Sequence, residues 1–313
     1  FPKMDVKLAH VGTTEMNYHK ASVRLSEIVK EKTGGAVNIQ VFPNSQLGSE
    51  KDNFEQVKNG IIQMTNGSSG MLANFPGWEP LGVLAMPYIM KGNNEDEQYV
   101  TFKKLVRGPI FKEISDKAVQ QSGIRALDLA WFYGQRHLST SKKQVNKVDD
   151  LKGLKIRTPD APLQKLAMTY LGASVTPMAV AEVYSALQMG VVDGQENPIN
   201  TIYSMKFYEV QKFVALTGHM SQGNLLVTND KWYQSLSPEL RKIIDEASLE
   251  AGDFMSAGQM KDNKQNLEDL KAKGMTVNTV NVSEFAEATK DAWKEFEPQF
   301  GKDLYEKVRA AQN

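Results

Sequence analysis

Leu151-Lys152-Gly153-Leu154-Lys155-Ile156-Arg157-Thr158-Pro159-Asp160 is the stretch from which the fold can be read. Apolar residues alternate with Lys155 and Arg157, which predicts a short strand. Gly153 before it and Thr-Pro-Asp after it mark turns. The pattern continues with a helix over 162–171, a strand over 173–178, a helix over 181–189 closed by Gly190, and a strand over 191–198 ending in polar residues. Strands alternating with helices predict a mainly parallel sheet covered by helices. A strand ending in Arg157 aims a planar, permanently charged guanidinium past the carboxyl edge of such a sheet, where ligands collect. That group suits a carboxylate, which it grips through two parallel hydrogen bonds. The plainer reading of the same residues is a solvated strand end.

Working outward, 5–11 alternates as a strand and turns at Gly12 into a helix over about 17–32, with Ala21, Val23, Leu25, Ile28 and Val29 as its apolar stripe. A strand over 36–42 follows, then a helix to Asn59 capped by Ser49, and a strand over 62–66 that ends at Gly67-Ser68-Ser69-Gly70. A loop-rich connection leads to a mostly helical 94–120 and a strand over 123–130. Residues 212–216 and 224–228 are strand-like and suited to crossing back between lobes. From Pro238 the chain is helical, interrupted by a strand over 277–282 and resumed as a helical tail over 283–311. The fold class expected is α/β: two β/α lobes joined by more than one crossing, with a boundary near 129–131 and long C-terminal helices. Residues 1–129 plus about 224–262 form lobe I, and about 130–223 plus 263–313 form lobe II.

Composition narrows the function. Lys+Arg and Asp+Glu are balanced at 37 each, so no basic field favours nucleic acid. Apolar runs such as 81–86 are too short to span a bilayer. There are no cysteines, which removes disulfides, thiolate metal sites and cysteine nucleophiles. The chain starts at Phe1 and runs at once into a strand, as expected of a periplasmic protein whose signal peptide has been removed.

The available chemistry favours holding an anion over catalysis. His10, His19, His137 and His219 are scattered and make no metal-ligand pair, and no metal or cofactor is expected. Gly67-Ser68-Ser69-Gly70 lacks the spacing of a nucleophile elbow, so Ser68 and Ser69 read as hydrogen-bonding hydroxyls or turn residues. Arg136 and Asn197 stand beside Arg157 as further strand-end candidates. Trp131, Phe132 and Tyr133 are either core or an apolar wall. Asp193 and Glu196 read equally as solvated turn residues.

The ordered set Leu47-Gly48, Arg136 after Gly134, 151–157, Thr176-Pro177-Met178, 182–188 (Glu-Val-Tyr-Ser-Ala-Leu-Gln), 192–198 (Val-Asp-Gly-Gln-Glu-Asn-Pro) and 206–212 (Lys-Phe-Tyr-Glu-Val-Gln-Lys) resembles the DctP-type substrate-binding proteins of tripartite ATP-independent periplasmic (TRAP) transporters. The resemblance implies a two-lobed periplasmic-binding-protein fold with a ligand cleft between the lobes, in a monomeric receptor that closes on an organic acid and delivers it to TRAP membrane carrier subunits, with no nucleic-acid partner. It implies a carboxylate clamp at Arg157 assisted by Arg136 and Asn197, with further pocket positions at His10, Ser68, Ser69, Asp160, Ala161, Val180 and Asn224. The sialic-acid branch carries a glutamate near Ser68 and an aromatic at Val180. This chain has neither, which speaks against sialic acid.

One strong clamp among neutral polar candidates points to a monocarboxylate with several hydroxyls, a uronate or related sugar acid, with Asp160 accepting from a ligand hydroxyl. The rival within the class is a C4-dicarboxylate, or an aromatic or keto acid, with Arg136 holding a second acidic group or Trp131 and Tyr133 stacking on a ring. The rivals outside it are an enzyme using His10 or His137 as base, for which no acid–base pair is assembled, and a sensor lobe on the same fold.

Overall fold

The computed structural model describes residues 1–312. The chain divides into two compact units, each discontinuous in sequence. Unit 1 is Phe1–Glu79, Phe102–Phe132 and Gly223–Gln259, and unit 2 is Pro80–Thr101, Tyr133–Gln222 and Met260–Asn313. Pro80–Thr101 groups with unit 2, whereas the sequence reading kept it in lobe I.

In unit 1, strands β1 (Met4–Ala9), β2 (Val37–Phe42) and β3 (Met64–Ser68) are parallel, with β1 in the middle. The helices Asn17–Lys32 and Glu50–Lys58 connect them. Two apolar stripes create this layer. Ala21, Leu25, Ile28 and Val29 on the first helix are buried, as are Val6, Leu8, Val37 and Ile39 on the strands, so both elements hide their apolar faces together. Ser49 caps the second helix through a reciprocal box with Asp52.

Strand β4 (Ile124–Thr140) starts in unit 1 and ends in unit 2. In unit 2, β5 (Lys155–Thr158), β6 (Ser174–Pro177) and β7 (Gly194–Asn197) are parallel, and β7 also pairs antiparallel with the end of β4. Strand β8 (Phe213–Asn229) is a single element where the sequence suggested two pieces. Its first part pairs with β9 (Thr276–Thr279) in unit 2, and its last part pairs antiparallel with β3 in unit 1. The Pro238–Ala272 helix also passes from unit 1 to unit 2. The expected helical tail is broken into Val282–Thr289, Glu297–Phe300 and Lys302–Ala310, because Pro298 enters at a first turn and Gly301 takes φ 76.

Candidate functional site

The carboxyl edge of unit 2 is built by the ends of β5, β6 and β7. Arg157 is the third residue of β5 and only 2% exposed. Its Nε and Nη2 both donate to the carbonyl of Met178, at 3.1 and 2.7 Å, just past the end of the neighbouring β6. Two bonds to one oxygen fix the plane of the guanidinium, so its orientation is set by backbone rather than by a mobile side chain. In the same unit, the Thr158 hydroxyl and Gln164 Oε1 are buried without a hydrogen-bond partner. Such atoms are rare in a folded protein and mark places that water or a ligand completes.

Arg136 is spent differently. Its Nε bonds the Glu196 carboxylate, its Nη1 bonds Gln222 Oε1, and its Nη2 donates to the Glu196 carboxylate (2.8 Å), the Glu196 carbonyl (2.6 Å) and Asn197 Oδ1 (3.0 Å). The sequence reading gave Arg136 as an assistant to the Arg157 clamp, or in the rival reading as the holder of a second acidic group, and left Glu196 evenly poised between a solvated turn residue and a functional one. The two side chains are 2% and 1% exposed and form a bidentate ion pair. Burial alone would raise the Glu196 carboxyl, but the Arg136 charge and hydrogen bonds from His219 and Arg136 overcome it and hold the group below its ordinary range. His219 Nε2 lies 3.3 Å from the same carboxylate and its Nδ1 2.8 Å from Thr217 Oγ1. Asn197 is bound to both Arg136 and Gln195. Tyr133 is buried with its hydroxyl on Thr201. Asp160 stands apart, its side chain 63% exposed and paired with Lys165 at 2.6 Å.

The carboxyl edge of unit 1 carries His10 just after β1, and Ser68 and Ser69 at the end of the adjacent parallel β3. His10 is fully buried; its Nε2 is 3.0 Å from His19 Nδ1 and its Nδ1 has no partner. The hydroxyls of Thr13 and Ser69 are likewise buried and unpartnered. Ser68 accepts from the Met71 amide and caps the short helix that follows β3. Asn224, opposite Ser68 in the β3–β8 register, donates to Asn66 Oδ1 at 3.2 Å. Trp131 is not part of a wall here. It is sealed in the unit 1 core beneath Gly252, where an added Cβ would come within 2.7 Å of the indole.

The buried imidazoles give the chain a pH signature. Burial, with a neighbouring histidine adding to it, lowers His10 and His137 from 6.5 to about 3. The unfolded chain therefore binds protons that the folded chain refuses, so stability is full above pH 6.5 and drains as pH falls toward 3. Melting temperature is expected to drop by about 5–10 °C between pH 7 and pH 5, above the carboxylate range. His137 Nδ1 accepts from the Gly218 amide, a bond that a glutamine can copy, so His137→Gln should flatten the slope. A level wild-type profile would contradict the neutral-imidazole assignment.

The profile of bacterial extracellular solute-binding protein family 7, DctP, matches residues 8–299. The chain belongs to that family. A solute-binding protein of Verminephrobacter eiseniae is 35% identical over 304 residues, covering 96% of this chain and 88% of that one. Among solved structures, a TRAP periplasmic solute binding protein of Actinobacillus succinogenes with bound L-galactonate is 33% identical, with TM-score 0.90 and 99% of each chain covered. The sugar acid binding protein of Advenella mimigardefordensis in complex with galactonate superposes with TM-score 0.92 at 25% identity, covering 100% of this chain and 98% of that one. Among the described residues of this DctP-family chain, no helix is long and apolar enough to cross a membrane, and no three His, Asp or Glu side chains gather as a metal site.

Sequence reasoning missed three participants in this DctP-family chain. Gln222 lies in a strand read as interrupted, and nothing local marks it as a partner of Arg136. Glu50 accepts from the Ser68 amide, so a carboxylate does stand near Ser68, supplied by a helix rather than by β3. His19 sits in the first turn of an ordinary amphipathic helix, and nothing local marks it as a partner of His10.

Proposed function

We propose that this chain is the receptor for a polyhydroxy monocarboxylate, a uronate or related sugar acid, which it passes to a TRAP membrane carrier. The observation that carries this reading is the bidentate pairing of Arg136 with Glu196. It takes away the second cation that a C4-dicarboxylate would need, and leaves Arg157 as the residue for a single carboxylate. The carboxylate would take the Nη1–Nη2 end of the guanidinium, adjacent to the edge that donates to the Met178 carbonyl. Each unit, taken by itself, carries polar groups suited to ligand hydroxyls: His10, Ser69 and Asn224 in unit 1, and Asn197 in unit 2. The buried, unpartnered Nδ1 of His10 and Oγ of Ser69 support a ligand rich in hydroxyls: an apolar acid would satisfy neither, and a keto oxygen, which only accepts, could serve Ser69 but not a lone pair on His10 Nδ1. The galactonate bound by the Actinobacillus and Advenella proteins has the same chemistry.

A thermal-shift screen of organic acids tests the reading. A ligand present at a hundred times its Kd stabilises by about 2.7 kcal/mol, which for a chain of this size is a rise of roughly 4 °C. Galactonate, galacturonate or glucuronate are expected to produce that rise. Stabilisation by succinate or malate with no response to the sugar acids would replace this function with the C4-dicarboxylate one.

A further inference from the structure

We propose that His19, a residue outside the ligand-facing set, is a positioning residue that fixes which hydrogen-bond polarity His10 presents to a sugar-acid hydroxyl. The inference rests on the functional reading above. Its geometric basis is the contact between His10 Nε2 and His19 Nδ1 at 3.0 Å, which can hold only one proton. His10 also packs against Tyr18, with ring centroids 5.1 Å apart and planes at 86°. The Tyr18 phenol lies where a side chain at position 12 would stand, so Gly12 is needed to admit it. His10 is therefore held against two adjacent residues of one helix, and the proton it shares with His19 decides its tautomer.

Two arrangements are possible for the neutral pair. If His10 donates, its proton is on Nε2 and its buried Nδ1 is a lone pair. If His19 donates, His10 must carry its proton on Nδ1 as a buried N–H with no acceptor. Orphaned buried N–H groups are rarer than under-satisfied acceptors, so the first arrangement holds in the ligand-free protein. His10 Nδ1 then accepts from a ligand hydroxyl, and His19 turns its Nε2–H outward.

His19 also links this buried atom to solvent. It is partly exposed and lines a surface groove with Lys20, Val23, Arg24 and Glu27 of its own helix and Glu250 and Phe254 of the Pro238–Ala272 helix. The charges facing it are thus two cations and two anions, with Arg24 bonded to Glu250 at 2.7 Å, and they leave no dominant field. When the pair takes up one proton, the charge rests on His19, whose Nδ1–H now donates inward to His10 Nε2. His10 remains neutral and carries its single proton on Nδ1. The polarity at the ligand-facing atom is reversed although His10 itself is never charged. Burial lowers His19 below 6.5, so the reversal falls on the acidic side of that value.

Long-range proton–nitrogen NMR on ligand-free protein with labelled histidines reads the tautomers directly. Between pH 8 and pH 4.5, His10 is expected to convert from the Nε2–H to the Nδ1–H form in the wild type. In His19→Gln it should stay Nε2–H throughout, because the glutamine oxygen accepts the same bond and does not titrate. Calorimetry with galactonate and with glucuronate, whose carboxylates stay ionised over most of this range, gives the second readout. Wild-type affinity is expected to fall about tenfold on acidification, the cost of one mismatched buried hydrogen bond, and by less than about twofold in His19→Gln. A wild-type His10 that keeps one tautomer across the range overturns the proposal, as do matching pH profiles for the two proteins. Lack of binding by both acids counts against the sugar-acid function instead, and the wild-type spectra still decide the role of His19.

Discussion

Arg157→Lys is expected to weaken sugar-acid binding by about 100-fold or more while leaving the melting temperature within a few degrees of wild type. Cutting a buried charged contact to a ligand typically costs about 2–5 kcal/mol, and lysine recovers little of it. Its ammonium keeps the charge but is a point donor that cannot hold two parallel bonds to a carboxylate. The stem would also lose the double anchor on the Met178 carbonyl that sets the plane of the guanidinium. The fold should survive, because Arg157 lies at the end of a four-residue strand whose backbone pairing with β6 and β7 does not depend on its side chain. Calorimetry on the ligand identified by the thermal screen reads the effect. Near-normal affinity in a folded variant would remove Arg157 from the clamp.

The second large effect is on stability. Glu196→Ala strips the buried Arg136 of its counter-ion and leaves a charged group with no route to solvent. Breaking such a pair from one side costs about 3–5 kcal/mol, equivalent to a fall of roughly 5–8 °C for a chain of this length. His219 would lose the same carboxylate and add to the loss. Replacing both charges, as in Arg136→Met with Glu196→Leu, should recover much of the deficit, since two apolar side chains need no solvation. Equal destabilisation by the single and double variants would show that shape, rather than an unpaired charge, governs this part of unit 2.

Particular residues show how far the sequence could be read. The strand over 36–42 announces itself by alternation, because one face is packed more than the other; the turn-bounded 154–158 alternates in sequence although Ile156, Arg157 and Thr158 are all buried. Strand β8 is buried along nearly its whole length, so alternation vanishes there, and Gly218 and Gly223 look like breaks. Gly223 is instead a close approach, with the Phe102 ring where a Cβ would be. Arg157 was legible because its neighbours and its turn are local. The pairing of Arg136 was not, because its partners lie 60 and 86 positions away and Glu196 sits in a Gly-Gln-Glu-Asn run that any local rule reads as a polar turn. Trp131 and Tyr133 left both readings open at the level of sequence, since an aromatic in a strand is equally at home in a core and at a ligand face.

The threading of the chain has a consequence for how the protein is made. Unit 1 is assembled from three separate lengths, and β3 near residue 66 must wait for its neighbour near residue 224, a closure across 158 positions. While the ribosome is still making the middle of the chain, the exposed edge of β3 has no partner, and the parallel β1–β3 pair is half of an unfinished sheet. Long-range closures of this kind fold slowly and expose hydrophobic edges in the interval. Neither unit can therefore be produced alone by cutting the gene once, and a nascent chain stalled before Gly223 should be prone to aggregate or to require a holding chaperone. The late synthesis of β8 acts as a timer that keeps the chain unfinished, and so threadable, until most of it has emerged.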